Sequence, residues 1–384
     1  MGLFYQYATS YMGMRENQDE YKLLGLEAHV LDALGPMVME ILSQVADERI
    51  KVWMSNLTTH YDEEYDPVLM VGALTKVKAL HAKFFDKVLD SIGISSESRT
   101  EYIARVALAY VVQRVVEGVV QTIIGKLRPR NLIVAGGLFL NVKLNNLIGH
   151  CVPGQLCVMP LSGDQGAAIG VYQKYAKNFH WPDHLYWGYR SHWNNYFVNQ
   201  LETYDNHTEA RDRIIELLKQ NKIVNLIRGA MEFGPRALGH TSTLALPTKE
   251  NVEYINASNK RDTIMPMAPV MTHEQSKQYL HCTDKVVESL KYMVCTRTVR
   301  AEMVHNILGG VHMDPHQSYA TARVQVTSDH LLCSILDELD TPLINTSFNE
   351  HGMPICFTEE DVIRCHEFQR KNDELDRIHT IIVR

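Results

Sequence analysis

The sequence predicts an α/β protein of two domains, and three observations carry that prediction. A short apolar run, a glycine turn and a helical pattern follow one another twice in succession between residues 132 and 176. Beyond residue 208, short strand-like runs mix with amphipathic helical stretches. The length of 384 residues with 45% hydrophobic content is enough for about two buried cores.

Over residues 101–127, Ile103, Val106, Val111, Val115, Val119 and Ile123 recur at helical spacing, and Ala107, Val112, Val116 and Val120 widen the stripe. This predicts a long, largely buried helix that stops near Gly125. LIVAGG then reads as a strand closed by Gly136 and Gly137, LFLNVKLNNLIG as helix, and LCVMP at 156–160 as a second strand. SGDQGAAIGVYQKYAK reads as a small-residue turn opening a helix. Residues 181–208 are rich in Trp, Tyr, His and Asn without periodicity, so the domain boundary is placed there, giving 1–184 and 185–384. After it, ARDRIIELLKQ and HLLCSILDEL are helical, while IVNLI, LALP, ARVQV, TPLINTS and HTIIVR are strands.

With 38 basic and 45 acidic residues, a net charge of −7 offers no overall attraction to a polyanion. The seven cysteines contain no Cys-x-x-Cys pair, which argues against a zinc ribbon or a disulfide framework and for reduced thiols. The opening MGLFYQYATSYMGMREN lacks a basic region before an apolar core, and no stretch nears the roughly 18 apolar residues of a membrane span. A soluble, cytoplasmic protein without a membrane partner is expected.

Glycines at a strand's mouth let backbone amides approach a phosphate, and the following helix offers its positive end. Gly136-Gly137 and the turn from Gly163 through Asp164 to Gly166 both suit this, with Asp164 a natural ligand for a metal shared with a nucleotide. Both also suit plain tight turns, with Asp164 as a helix cap. RGAMEFGPRALGHTSTLALP combines Glu232, a Gly234-Pro235 turn, Arg236, Gly239 and Ser242. An arginine held on such a turn matches bidentate recognition of phosphate or carboxylate, and a surface loop with a structural salt bridge is the other reading. In LINTSFNEHGMPI, Asn345, Ser347 and Asn349 alternate after a strand. Period-two spacing sends them to one face, which is either a cradle for a planar uncharged group such as a carbamoyl amide or a polar solvent face.

Taken together, YKLLGLEA at 21–28, AGGLFLN at 135–141, PLSGDQGAAIG at 160–170, EFGPRALGHTS at 232–242, RDTIMPMAP at 261–269, TARVQ at 321–325 and NTSFNEHGMPI at 345–355 resemble the carbamoyltransferase family. That family includes the enzymes of nodulation-factor, cephamycin and aminoglycoside O-carbamoylation, and the resemblance covers nearly the whole chain. It implies the C-terminal half of an actin-like ATPase (RNase H-like) domain, similar to tRNA threonylcarbamoyladenosine transferases. An α/β domain similar to threonylcarbamoyl-adenylate synthases would follow. It further implies that ATP and carbamoyl phosphate are turned into carbamoyl-adenylate, and that the carbamoyl group then passes to a hydroxyl with the help of iron or another divalent metal, Mg accompanying ATP. Carried onto this chain, Arg236, Arg261 and Arg323 would neutralise phosphates and Asn345, Ser347 and Asn349 would hold the carbamoyl amide. Gly136, Gly137, Asn141 and Gly163 would line an N-terminal nucleotide site, Lys260 would assist at the nucleotide, and Asp164 would bind the metal.

Family members begin with a further half-domain bearing a His-His-x-x-His-Ala motif, which this sequence does not show, so the expectation is a second subunit that supplies the histidine-containing half. His60 with Asp62, Glu63 and Glu64 is an acidic run, read as a solvated face rather than a substitute metal site. Where the family reads Lys-x-Arg-Asp, Asn259 takes the lysine's place, Lys260 adjoins Arg261, and Met267 replaces a phenylalanine. An insertion separates His312 and Asp314 from Arg323. The acceptor is expected to be a hydroxyl of a small molecule, of a glycan or of a hydroxymethylated base in DNA. A non-catalytic scaffold or regulatory subunit is the competing reading, opposed by the retained arginines and amide row.

Overall fold

The computed structural model describes residues 1–56, 67–176, 184–190, 201–261, 267–282, 290–313 and 319–384. His60 and its acidic neighbours, most of the aromatic stretch at 181–200, the DTIMP of RDTIMPMAP and Asp314 lie outside the described residues. The chain divides into two compact units, the first built mainly from Met1–Ile133 and Gly137–Leu156, the second from Val134–Gly136, Cys157–His312 and Tyr319–Arg384.

The first unit is helical: α1 (Gly2–Tyr11), α2 (Glu20–Leu26), α3 (Val30–Asn56), α4 (Pro67–Asp90), α5 (Tyr102–Leu127) and α6 (Val142–Cys151). The helix expected at 101–127 is α5, and it forms the centre, with Val106, Ala107, Tyr110, Val111, Val115 and Val116 fully buried. Each buried valine among them contributes on the order of 1.5–3 kcal/mol of burial free energy. Gly125 stays inside the helix, and Arg128 takes the left-handed cap at φ 46 because Pro129 disfavours continued helix at the residue before it. Gly118 lets α3 approach closely, since a Cβ there would lie 2.3 Å from the Ile50 Cδ1. The α3 helix breaks at Gly35, φ 76, and restarts on Pro36. Helix α1 buries Phe4, Tyr5, Tyr7 and Ala8, with Met12 just past its end, at helical spacing, while Gly2 and Leu3 are exposed.

In the chain the two expected strands follow, β1 (Leu132–Val134) and β2 (Leu156–Val158), paired as a two-stranded sheet, and then α7 (Gln165–Tyr175). The second unit centres on a mixed sheet formed by β3 (Glu202–Tyr204), β4 (Ile223–Arg228), β5 (Thr241–Ala245), β6 (Ala268–Met271), β10 (Gln325–Val326), β11 (Leu343–Ser347) and β12 (Ile378–Val383), in the order β10-β6-β11-β5-β4-β12-β3. Strands β3, β12 and β4 run parallel, as do β6 and β10, and the other neighbours are antiparallel. A small sheet of β7 (Thr296–Thr298), β8 (His312–Met313) and β9 (Ala320–Arg323) accompanies it, together with α10 (His273–Tyr279).

Alternation along the strands assigns the sheet's two faces. Val224, Leu226, Leu244, Leu343 and Ile381 pack under α8 (His207–Lys219) and α11 (His330–Leu339). On the opposite face, Ile223, Ala245, Ile344 and Ile378 meet α9 (Lys249–Ser258), while Ile227, Phe348 and Ile382 meet α12 (Glu359–Lys371). The result is helix, sheet, helix, and the mixed α/β class expected from sequence is what the chain adopts.

Candidate functional site

One end of the large sheet gathers the predicted C-terminal residues. Strands β4 and β11 end there, at Arg228 and Ser347, and β5 and β6 begin there, because the register pairs Ile227 with Thr241, Ser347 with Ser242 and Asn345 with Ala268. Arg236 lies in the loop from β4 to β5, Arg261 ahead of β6, and Arg323 at the end of β9 just before β10.

The loop at 232–241 is shaped by one buried carboxylate. Glu232 Oε1 accepts the backbone N–H groups of Leu238 at 2.5 Å, His240 at 2.8 Å and Thr241 at 3.4 Å. The Gly239 N–H donates to Ser242 Oγ at 2.9 Å. Gly239 itself adopts φ +109, and a Cβ on it would stand 2.4 Å from Leu332 Cδ1. Gly239→Ala is therefore expected to destabilise the chain by more than about 1 kcal/mol, through both strain and collision, and thermal unfolding will read the loss.

Below the loop, Arg228 donates from Nε to the Gly239 carbonyl at 3.0 Å, and its Nη2 lies 2.7 Å from Asp329 Oδ1 in a largely buried ion pair. Burial works to raise the Asp329 pKa, but Arg228 and the Leu332 N–H outweigh it and hold the carboxyl below its usual range. His240 lies flat against Tyr186, with ring centroids 3.5 Å apart, and Tyr186 donates its hydroxyl to the Leu238 carbonyl at 3.2 Å. Burial and the Arg228 charge push His240 down to about 3. It is neutral at pH 7, with the proton on Nδ1, which donates to the Ala230 carbonyl at 2.7 Å.

Arg236 and Arg323 have no counter-charge among the described residues. Among the described residues neither forms an ion pair, and Arg323 Nε is buried with no hydrogen-bond partner. Burial, together with the neighbouring Arg236, pulls Arg323 down to about 9, and burial also lowers Arg236. The negative charge of a phosphate would offset what burial and mutual repulsion cost these two guanidiniums.

The amide row is placed in three different ways. Asn345 is 1% exposed and donates from Nδ2 to Gln325 Oε1 at 2.7 Å and to the Ala237 carbonyl at 3.2 Å, while its Oδ1 is buried without a partner. Ser347 donates to Asn349 Oδ1 at 2.5 Å. Asn349 lies past the end of β11, and its Nδ2 serves the Glu350 and Met353 carbonyls at 3.0 and 2.8 Å. Asn345 and Ser347 thus share a strand face as expected, whereas Asn349 reaches Ser347 from the following loop.

Arg261 braces this end of β11, donating to Thr346 Oγ1, the Ser347 carbonyl and Asn349 Oδ1 at 2.9, 2.9 and 3.0 Å. Lys260 is exposed at φ 49, its Nζ 5.4 Å from the Phe368 ring. Asn259, in the place of the family's lysine, is fully buried and accepts from Gln369 Nε2 at 3.0 Å. Gln369 in turn accepts from Asn225 Nδ2 at 2.6 Å, so this position is part of the core's polar wiring and cannot reach a phosphate.

The glycine turns and their neighbours are simpler. Gly136, at φ +106, donates its N–H to the Ser162 carbonyl at 2.9 Å, and Gly136 and Gly137 are exposed. A Cβ on Gly163 would meet Gln165 Oε1 at 2.5 Å. Asp164 is exposed at the start of α7, where its side chain makes no cap hydrogen bond, so the capping alternative does not hold. Asn141 caps α6 through the Leu144 N–H at 3.0 Å. Among the described residues no group of three or more His, Cys, Asp or Glu could hold a metal, so they do not by themselves assemble the expected metal centre.

Sequence reasoning missed the roles of Gln325, Tyr186 and Asp329. Gln325 donates to the Leu238 carbonyl at 2.8 Å and accepts from Asn345, joining the loop to β11. Its position two residues after Arg323 was a usable signal. Tyr186 stands in an aperiodic stretch, and nothing local marks it.

Comparison with known proteins identifies the family. Residues 1–172 match the model for the carbamoyltransferase N-terminus, and residues 215–381 match that for the carbamoyltransferase C-terminus. An uncharacterized protein of Methanocaldococcus jannaschii is 28% identical over 94% of this chain and 68% of its own. The nodulation protein NolO of Bradyrhizobium diazoefficiens is 28% identical over 60% of this chain and 45% of its own. Among solved structures, P. abyssi Sua5 complexed with L-threonine has a TM-score of 0.32 at 14% identity, over 47% of this chain and 48% of that one. The chain spans between 37% and 68% of the length of eight curated relatives. With both of its halves matched by models of one family, the chain belongs to the carbamoyltransferases.

Proposed function

We propose that the second unit makes carbamoyl-adenylate from carbamoyl phosphate and ATP, and that the chain, with a second subunit bearing a histidine-containing half-domain, passes the carbamoyl group to a hydroxyl acceptor. The observation that carries this reading is the pairing of Arg236 and Arg323, two cations without a counter-charge among the described residues, with the unfilled buried acceptor Asn345 Oδ1.

Water cleaves carbamoyl phosphate into carbamate and inorganic phosphate, and a carbamate oxygen then attacks the α-phosphorus of ATP, whose bond to pyrophosphate breaks. Arg236 and Arg323 offset the charge that builds on the phosphate oxygens. Asn345 Oδ1 accepts an N–H of the carbamoyl amide, and its Nδ2, held by Gln325 and Ala237, fixes the amide's orientation. The acceptor oxygen then attacks the carbonyl carbon, AMP leaves, and the hydroxyl proton is lost to solvent or base. In this reading Arg261 acts by holding Ser347 and Asn349, and Gly137 and Asn141, both of the first unit, serve an N-terminal nucleotide site. No step is assigned to Lys260, Asp164 or a metal.

The test is exchange of labelled pyrophosphate into ATP by the purified protein. Exchange that depends on carbamoyl phosphate is the expected result, and none at any carbamoyl phosphate concentration would exclude adenylation by this chain. Expression with neighbouring genes, followed by mass spectrometry of what co-elutes, tests the second subunit. A chain with the histidine half is expected, and a protein that transfers carbamoyl alone would refute that requirement.

A further inference from the structure

The first unit holds a polar cluster inside its helical core that the proposed reaction does not use. On α5, Gln113 is buried and Glu117 lies one turn further on. Gln113 Nε2 donates to Glu117 Oε1 at 2.5 Å and, more weakly, to Asn141 Oδ1 at 3.5 Å. Gln113 Oε1 accepts from Asn141 Nδ2 at 2.8 Å and from the Tyr5 hydroxyl at 3.3 Å. Asn141 Oδ1 also takes the Leu144 N–H that caps α6, so the orientation of this one side chain is set from both sides.

We propose that Glu117 is a positioning residue which, through Gln113, aims the Asn141 side chain and makes its hold depend on pH. The proposal rests on the reading of Asn141 as a nucleotide contact. An ionised Glu117 draws the Gln113 amide toward itself by a charge-assisted bond, at the expense of the longer contact to Asn141. A protonated Glu117 releases it, and Gln113 can close on Asn141 with both ends of its amide.

The surroundings place this change in the working range. Glu27, just past α2, is buried and paired with Lys143 of α6. Burial first, and then the Glu27 charge, raise Glu117 to about 7, against the lowering influence of Gln113, Lys143 and Arg114. Arg114 is itself engaged by Asp47 of α3 at 3.4 Å, and α1 contributes Tyr5, whose own pKa is raised by burial and by Glu27.

The test uses the full chain as it purifies, labelled with nitrogen-15 in the side-chain amides of Asn and Gln. The Gln113 and Asn141 signals are expected to titrate together with a midpoint near 7, and ATP should shift the Asn141 signal by different amounts at pH 6 and pH 8. Glu117→Gln, which keeps an acceptor oxygen but cannot ionise, should remain in the low-pH form throughout. Asn141 signals that do not titrate in the wild type, or that titrate unchanged in Glu117→Gln, would overturn the proposal and leave the nucleotide reading intact. Titration with no response of Asn141 to ATP would overturn the nucleotide reading, and the positioning role with it.

Discussion

Arg323→Ala is expected to lower carbamoyl-phosphate-dependent pyrophosphate exchange by about 10²–10³-fold while leaving the ligand-free protein as stable as the wild type, or more so. The two halves of that expectation have one cause. Arg323 is kept in an environment that opposes its charge, through burial and through Arg236, and no described residue neutralises it. Removing one of two neighbouring, half-buried like charges relieves repulsion in the empty protein. Removing it from the liganded protein deletes the group that meets the phosphate. Pyrophosphate should accordingly raise the melting temperature of the wild type at low ionic strength and do so much less in Arg323→Ala. A variant that exchanges within tenfold of wild type, or that melts far lower without ligand, would show that Arg323 is a structural residue.

Glu232→Ala is expected to act in the opposite way, by taking the fold down together with the activity. Three backbone N–H groups end on Glu232 Oε1, and two of those distances are 2.8 Å or shorter. No side chain nearby replaces that acceptor, and each donor left unsatisfied in the interior costs about 1–3 kcal/mol. Even allowing for overlap, a loss of about 3–5 kcal/mol is a large part of ordinary domain stability, and calorimetry should show a fall on the order of 10 °C. Glu232→Gln keeps the acceptor and should retain most of the stability. A melting point for Glu232→Ala equal to the wild type's would mean that the loop is held by Gly239, Ser242 and Gln325 instead.

The residues best read from sequence were those whose partners are set by strand geometry. Asn345 and Ser347 share a face because β11 is extended there, and the same two-residue rule, applied from Arg323, reaches Gln325. Arg236 was legible from the glycine and proline around it. What stayed hidden depends on distant parts of the chain: Tyr186 lies under His240, Asp329 under Arg228, and Asn259 belongs to a hydrogen-bond path through Gln369 to Asn225. The substitution of Asn259 for a lysine was visible from sequence, but its full burial was not. The helices of the first hundred residues were not read from sequence, although in α1 Phe4, Tyr5, Tyr7 and Ala8 already follow helical spacing.

The position of β12 has a kinetic consequence. Residues 378–383 lie between β4 and β3, and all three strands run parallel, so β3 has no sheet neighbour until a segment about 175 positions later arrives. Local hairpin closure cannot build that edge. The pairing of Thr203 with Ile382 and of Leu226 with Ile381 must wait for a long loop to close, and contacts of this separation slow folding steeply. Assembly of the sheet should thus begin at the antiparallel pair of β4 and β5 and finish at β3, leaving an open strand edge during synthesis that a chaperone, or crowding with other copies, would meet first.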